Sequence, residues 1–284
     1  MNRGRRPLPA VAGLAVLAGL AGLAAGCGDD GGGSSATATT RAAVTTTRAP
    51  AATPTTVSGA APTTVAGPTV ADMTLTGGSE PDRYDYKVTY PAVHGLADAT
   101  VEAGINDQVR TAVTGVVDQF VTAVKDSGLP PAPAADQRSS LDGGYKTARL
   151  DDRLASFEVT LSTYIAGAAH PYGTVLTLTF DVGTGQRLAL ADLFAPGAPY
   201  LATLSAESRL RLATSPSADP GSNTSGTEPT DANFAGWTVT EDALEITFAQ
   251  GQVAASAAGM PHVSIPFASL RTLLDPDGPL AVRN

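Results

Sequence analysis

The stretch that decides the fold runs from Arg83 to Asp126: RYDYKVTYPAVHGLADATVEAGINDQVRTAVTGVVDQFVTAVKD. Its first eight residues alternate. Tyr84, Tyr86, Val88 and Tyr90 take one side, and Arg83, Asp85, Lys87 and Thr89 the other. A period of two marks a half-buried strand. From Asp98 the period changes. Val101, Ile105, Val109, Val113, Val116, Phe120 and Val124 recur at steps of three or four, the stripe of an amphipathic helix over 98–126. Asp98 or Thr100 can cap its start, because a side-chain oxygen there accepts an otherwise unpaired N–H. Ser127-Gly128-Leu129-Pro130 stops it.

Toward the C-terminus, residues 130–137 read as a loop. Strands are expected over Gly144–Leu150, Leu154–Ile165 and Thr174–Asp181, the second with Phe157, Val159, Leu161 and Ile165 on one face. Val182-Gly183-Thr184-Gly185 then turns the chain into a short strand ending at Leu190. Tyr200–Leu212 reads as a helix with Leu201, Leu204, Ser208 and Leu212 on one side, and 215–229 as a polar loop. A hairpin follows from Gly236–Thr240 and Ala243–Phe248 around Glu241-Asp242. Val263–Phe267 is a last strand before a short helix. Strands and helices mix without regular βαβ alternation. The fold class is therefore α+β: an antiparallel sheet packed by one long helix and shorter helices.

Toward the N-terminus the material is different. Residues 28–78 are mostly Gly, Thr, Ala, Pro, Val and Ser with no aromatic residue. Such a segment cannot bury enough apolar surface to offset its ordering entropy. It reads as a disordered linker spanning roughly 40 Å, and its Thr/Pro content suits O-glycosylation. Before it, Arg3, Arg5 and Arg6 precede an uncharged run from Val11 to Leu23 and then Leu23-Ala24-Ala25-Gly26-Cys27. Basic start, short apolar core and small residues before a cut are the marks of a signal peptide. The run is shorter than the ~18–20 residues of a spanning helix. Leu-Ala-Ala-Gly-Cys resembles a bacterial lipobox. Its thiolate would take a diacylglyceryl group, and two or more acyl chains, palmitate-like, make stable anchorage. The expected organisation is a signal peptide over 1–26, a lipidated Cys27 with linker over 27–78, and a single α+β domain over 79–284. Export to the outer face of the cell membrane follows, by either the general or the twin-arginine route.

Cys27 is the only cysteine, so no disulfide can form within the chain. Without the three leader arginines, 15 basic residues face 27 acidic ones, a net charge of −12. That argues against nucleic acid as a partner and suits a cationic one. The histidines are His94, His170 and His262, and no pair has the spacing of a zinc helix motif. No metal or other cofactor is expected. No G-x-S-x-G elbow occurs, and Gly183-Thr184-Gly185-Gln186-Arg187-Leu188 lacks the third glycine of a dinucleotide loop. Asp151-Asp152 and Glu241-Asp242 fall in turns, where acids serve local hydrogen bonds. His170, beside Tyr164 and Tyr172, is the candidate ligand contact, although a structural turn histidine is the more ordinary reading.

Several segments resemble one known family. They are Tyr90-Pro91-Ala92-Val93-His94-Gly95 with Ile105-Asn106, Ala168-Ala169-His170-Pro171, Thr179–Gly185, and Leu188-Ala189-Leu190-Ala191-Asp192-Leu193-Phe194. Asn233-Phe234, Thr240–Leu244, Gln250–Ala254 and Ile265-Pro266-Phe267 continue the likeness over roughly 84–274. The family is the extracellular domain of lysozyme-binding anti-sigma factors, a module similar to one found with some peptidoglycan deacetylases and in a secreted mycobacterial immunogenic protein. The resemblance implies a non-enzymatic module that binds a basic, lysozyme-like protein or an envelope glycan. It transfers no catalytic residue. The alternatives are a structural or antigenic surface lipoprotein without a defined ligand, and a cell-wall hydrolase.

Overall fold

In a computed structural model, which describes residues 67–127, 138–214 and 224–281, the alternating stretch becomes one strand of a five-stranded sheet. The strands are β1 (Thr69–Ser79), β2 (Tyr84–His94), β3 (Ser139–Leu150), β4 (Leu154–Tyr164) and β5 (Tyr172–Asp181), in that spatial order. The long helix α1 (Ala99–Asp126) connects β2 to β3, and these two strands run parallel, from Tyr84 beside Ser139 to Val88 beside Gly143. The other neighbours are antiparallel. A parallel pair needs a long crossover, and α1 supplies it; the one βαβ unit interrupts an otherwise antiparallel sheet. Pro91 stands beyond the last β2–β3 pair, where the strand has a neighbour on one side alone and a missing N–H is tolerated.

The domain boundary expected at 79 is corrected. Residues 69–78, assigned to the linker, pair with β2 from His94 back to Asp85, and Val70 and Leu75 pack on the core. Thr and Val favour the pleated backbone even in a stretch too polar to show a clean period. Cys27 and the linker through residue 66 lie outside the described residues, as do 128–137 and 215–223, most of the two expected loops.

α1 begins with Asp98 as its cap: the carboxylate accepts from the N–H groups of Thr100 at 2.7 Å and Val101 at 3.3 Å. Its buried stripe is Ile105, Val109, Val113, Val117, Phe120 and Val124. Val117 replaces the expected Val116, which is only partly covered, because 3.6 residues per turn keep 109, 113, 117 and 120 on one line. Against this stripe pack Val88, Leu141, Ala155, Phe157, Val159, Leu161, Leu178 and Phe180, which form the first core.

The opposite face of β4 meets a second layer. β6 (Trp237–Val239), β7 (Ala243–Thr247) and β8 (His262–Pro266) form an antiparallel three-stranded sheet in that order. With α2 (Tyr200–Leu212), α3 (Phe267–Leu270) and Leu154 of β4 it encloses a second core of Leu204, Phe234, Leu244, Ile246, Phe248 and Ile265. The two sheets meet through hydroxyls. The N–H of Val239 donates to Ser156 Oγ at 3.1 Å and that of Trp237 to Thr177 Oγ1 at 3.2 Å. The β6 edge is thus closed by side chains of the larger sheet rather than by another strand. On the far side, Arg211 of α2 donates to the Ser264 carbonyl at 2.6 Å and covers part of the β8 edge.

The strand expected to end at Leu190 reduces to a single bridge, Phe180 with Arg187, followed by a 3-10 turn over Leu190–Leu193. Asp192 accepts from the Ala189 N–H at 2.7 Å, which bends the chain there and sends Leu188 and Leu190 into the second core.

Candidate functional site

The β4–β5 hairpin carries the residues singled out as ligand contacts. Thr163 pairs with Tyr172 to close it, and residues 165–171 form the connection. Gly167 has φ +90°, a left-handed position suited to glycine, and the Ala168 N–H donates to the Ile165 carbonyl at 2.9 Å. The Ala166 N–H donates to Ser139 Oγ at 3.0 Å, which ties the tip to β3. Because Tyr172 stands opposite Thr163, it lies on the α1 side of the sheet, whereas Tyr164, one residue on, points to the other side. The two tyrosines therefore do not converge. Tyr172 is 43% exposed. His170 is exposed too, with Nδ1 3.0 Å from the Pro171 carbonyl oxygen. Below the tip, the Gly173 N–H donates to Gln250 Oε1 at 2.5 Å, and a side chain at Gly173 would press on Met260.

A second group was missed by sequence reading. Glu245 of β7, 9% exposed, lies with Oε2 2.5 Å from His262 Nε2 and accepts from Ser264 Oγ at 2.8 Å. His262 is cross-strand from Thr247, whose hydroxyl donates to Glu158 of β4 at 2.6 Å. Lys146 pairs with Glu158 across β3 and β4 and faces the same group. The hydrogen bond to Glu245 raises the His262 pKa; burial opposes it. Burial pushes the Glu245 carboxyl up, but His262, Ser264 and Lys146 more than offset it, so its pKa lies below the ordinary value. The serine bonds the acid and not the imidazole, so the order is not that of a Ser-His-acid nucleophile. The signal in the sequence is the alternation of Leu244, Ile246 and Phe248 with Glu245 and Thr247, which puts Glu245 and Thr247 together on the opposite face of the strand.

The acidic turns serve the backbone. Asp151 accepts from the N–H groups of Arg153 and Leu154, both at 2.8 Å, and from Arg149 at 2.5 Å. Burial raises its pKa, and those donors outweigh it to leave the carboxyl below its usual range. A cleft of about 380 Å³ between the 181–192 and 275–279 segments is lined by Asp152, Arg153, Asp181, Asp192, Asp275 and Asp277. Asp181 accepts from the Thr184 N–H at 2.8 Å, and Asp275 from the Asp277 N–H at 2.9 Å. Among the described residues no group of three or more His, Cys, Asp or Glu side chains is placed to hold a metal ion, and no helix is long and apolar enough to cross a membrane.

Residues 191–268, from the 3-10 turn through β8, match the model of a protein family of unknown function, DUF3298. Over 194 residues the chain is 26% identical to peptidoglycan-N-acetylmuramic acid deacetylase PdaC of Bacillus subtilis (strain 168), a match that covers 67% of this chain and 39% of that protein. The chain thus spans about two fifths of the length of this relative. A DUF3298 crystal structure from Bacteroides fragilis shares the fold, with a TM-score of 0.50 at 11% identity over 73% of this chain and 93% of that one. Another, from Pseudomonas aeruginosa, gives a TM-score of 0.48 at 15% identity over 76% and 97%. The family resemblance read in the sequence is supported: this chain is similar to the DUF3298 proteins and to PdaC.

Proposed function

We propose that the protein is an exported lipoprotein, anchored through Cys27 to the outer face of the cell membrane, whose folded domain is a non-catalytic binding module for an envelope ligand. The observation that supports the binding role is the tip of the β4–β5 hairpin, where the Tyr172 ring and the His170 imidazole, two positions apart, stand exposed. An exposed aromatic ring with a polar tip offers contact area at low entropy cost. Tyr164, on the other side of the sheet, is left as a lesser contact. The relative named for peptidoglycan N-acetylmuramic acid favours a cell-wall glycan; the acid excess also suits a basic protein of lysozyme type.

The test is capture on the immobilised mature chain of envelope extract, peptidoglycan fragments and lysozyme, at low and at physiological salt. Saturable capture that survives physiological salt supports the reading and identifies the ligand. Capture that vanishes with salt, or release of acetate from peptidoglycan, overturns it in favour of surface charge or of an enzyme. For the anchor, Cys27→Ser is expected to release the protein into the medium or leave an uncleaved precursor. A membrane-bound, mature-length Cys27→Ser protein would show that the lipobox reading is wrong.

A further inference from the structure

The surface between the two sheets is built unlike the cores on either side of it. Glu158 and Lys146 project from the larger sheet, and Glu245, Thr247, His262 and Ser264 from β7 and β8 of the smaller one. Within this cluster the hydrogen bond from Thr247 to Glu158 crosses between the layers, in addition to the β6 contacts with Ser156 and Thr177. Glu245 is nearly buried, and its charge is met by His262 and Ser264 on the neighbouring strand. A carboxylate in that position is costly unless it is paired. We propose that this cluster is a pH-sensitive latch, which holds β8 on β7 at the face they turn toward Glu158 and Lys146 while His262 is protonated, and loosens as the imidazole loses its proton.

The sign follows from the two partners. His262 gains a partner on folding and its pKa is raised from 6.5, so its contribution is complete below that value and is lost as the pH rises through the folded value. Glu245 is lowered from 4.5, so its contribution is complete above that value and is lost as the pH falls through the folded one. Both are present between the two ordinary values. Of the other charges facing the imidazole, Glu158 of β4 strengthens the protonated state and Lys146 of β3 weakens it. Once the pH exceeds the folded-state pKa the imidazole becomes neutral while Glu245 stays charged, and a nearly buried anion is left with the Ser264 hydroxyl as its close partner.

Hydrogen exchange of the full chain at pH 5.5, 7.0 and 8.5, corrected for the intrinsic rate at each pH, reads the latch. Protection of β7 and β8 is expected to fall several-fold from pH 5.5 to 8.5 relative to β1 and β2, and in His262→Gln that differential fall is expected to vanish. The same fall in wild type and His262→Gln, or none in wild type, overturns the proposal. Because His262→Gln can fail to fold, the imidazole of the wild-type protein is also titrated by NMR. A midpoint above 6.5 supports the latch, and a midpoint at or below it overturns the latch whatever the variant does.

Discussion

Asn106 shows how a residue of the family signature earns its place. From the first turns of α1 its side chain accepts from the Val93 N–H at 2.8 Å and donates to the Val93 carbonyl at 2.9 Å. Val93 is fully buried, so both backbone groups depend on that one amide. Asn106→Ala is expected to cost about 1–3 kcal/mol, checked by urea unfolding; a loss near zero would show that the clamp is dispensable. Gln252 acts alike, donating to the carbonyls of Gly226 and Asn233, each at 3.0 Å. Gly226 has no room for a side chain, since a Cβ would lie 2.0 Å from the Gln252 carbonyl oxygen. Both amide side chains thus bind the protein's own backbone. The trio of His170, Tyr164 and Tyr172 was read as one spot because its members are close in sequence. The pairing of Thr163 with Tyr172 separates the two tyrosines, which chain proximity alone cannot show.

Among the elements, those with a clear period were legible. The 28 residues of α1 and the alternation of β4 and β7 were read close to their observed limits, because one face of each is buried and selects apolar residues. β1 was not legible. Val70, Met73 and Leu75 do not alternate, and Met73 is 45% exposed; as an edge strand it gains more from pairing with β2 than from burial. Its place in the domain is testable. A chain starting at residue 67 is expected to melt cooperatively, and one starting at residue 80 to melt ~10 °C lower or more, followed by circular dichroism. Equal melting would restore the boundary to 79. The parallel β2–β3 pair was hidden as well, since α1 looks the same in sequence whether it returns the chain parallel or antiparallel.

For the whole molecule, the fold class was legible and the arrangement of layers was not. The alternation in β4 marks one core face, but its other face, with Ser156 and Glu158, reads as solvent-exposed. In the structure that face carries the second sheet, and its hydroxyls close the β6 edge. Polar residues at a sheet-to-sheet contact are indistinguishable by composition from surface ones. The acid excess and the proposed lipid anchor belong to this scale too, since both bear on the proposed placement of the domain and on what would approach it. The binding role is tested most directly by NMR on the mature protein at physiological salt, following backbone amides as peptidoglycan fragments and then lysozyme are added. The account predicts saturable shifts confined to the hairpin tip, residues 165–173, and the adjoining 249–261 loop, abolished in Tyr172→Ala. Shifts scattered over the acidic surface that disappear with salt, or none with either ligand, would contradict it.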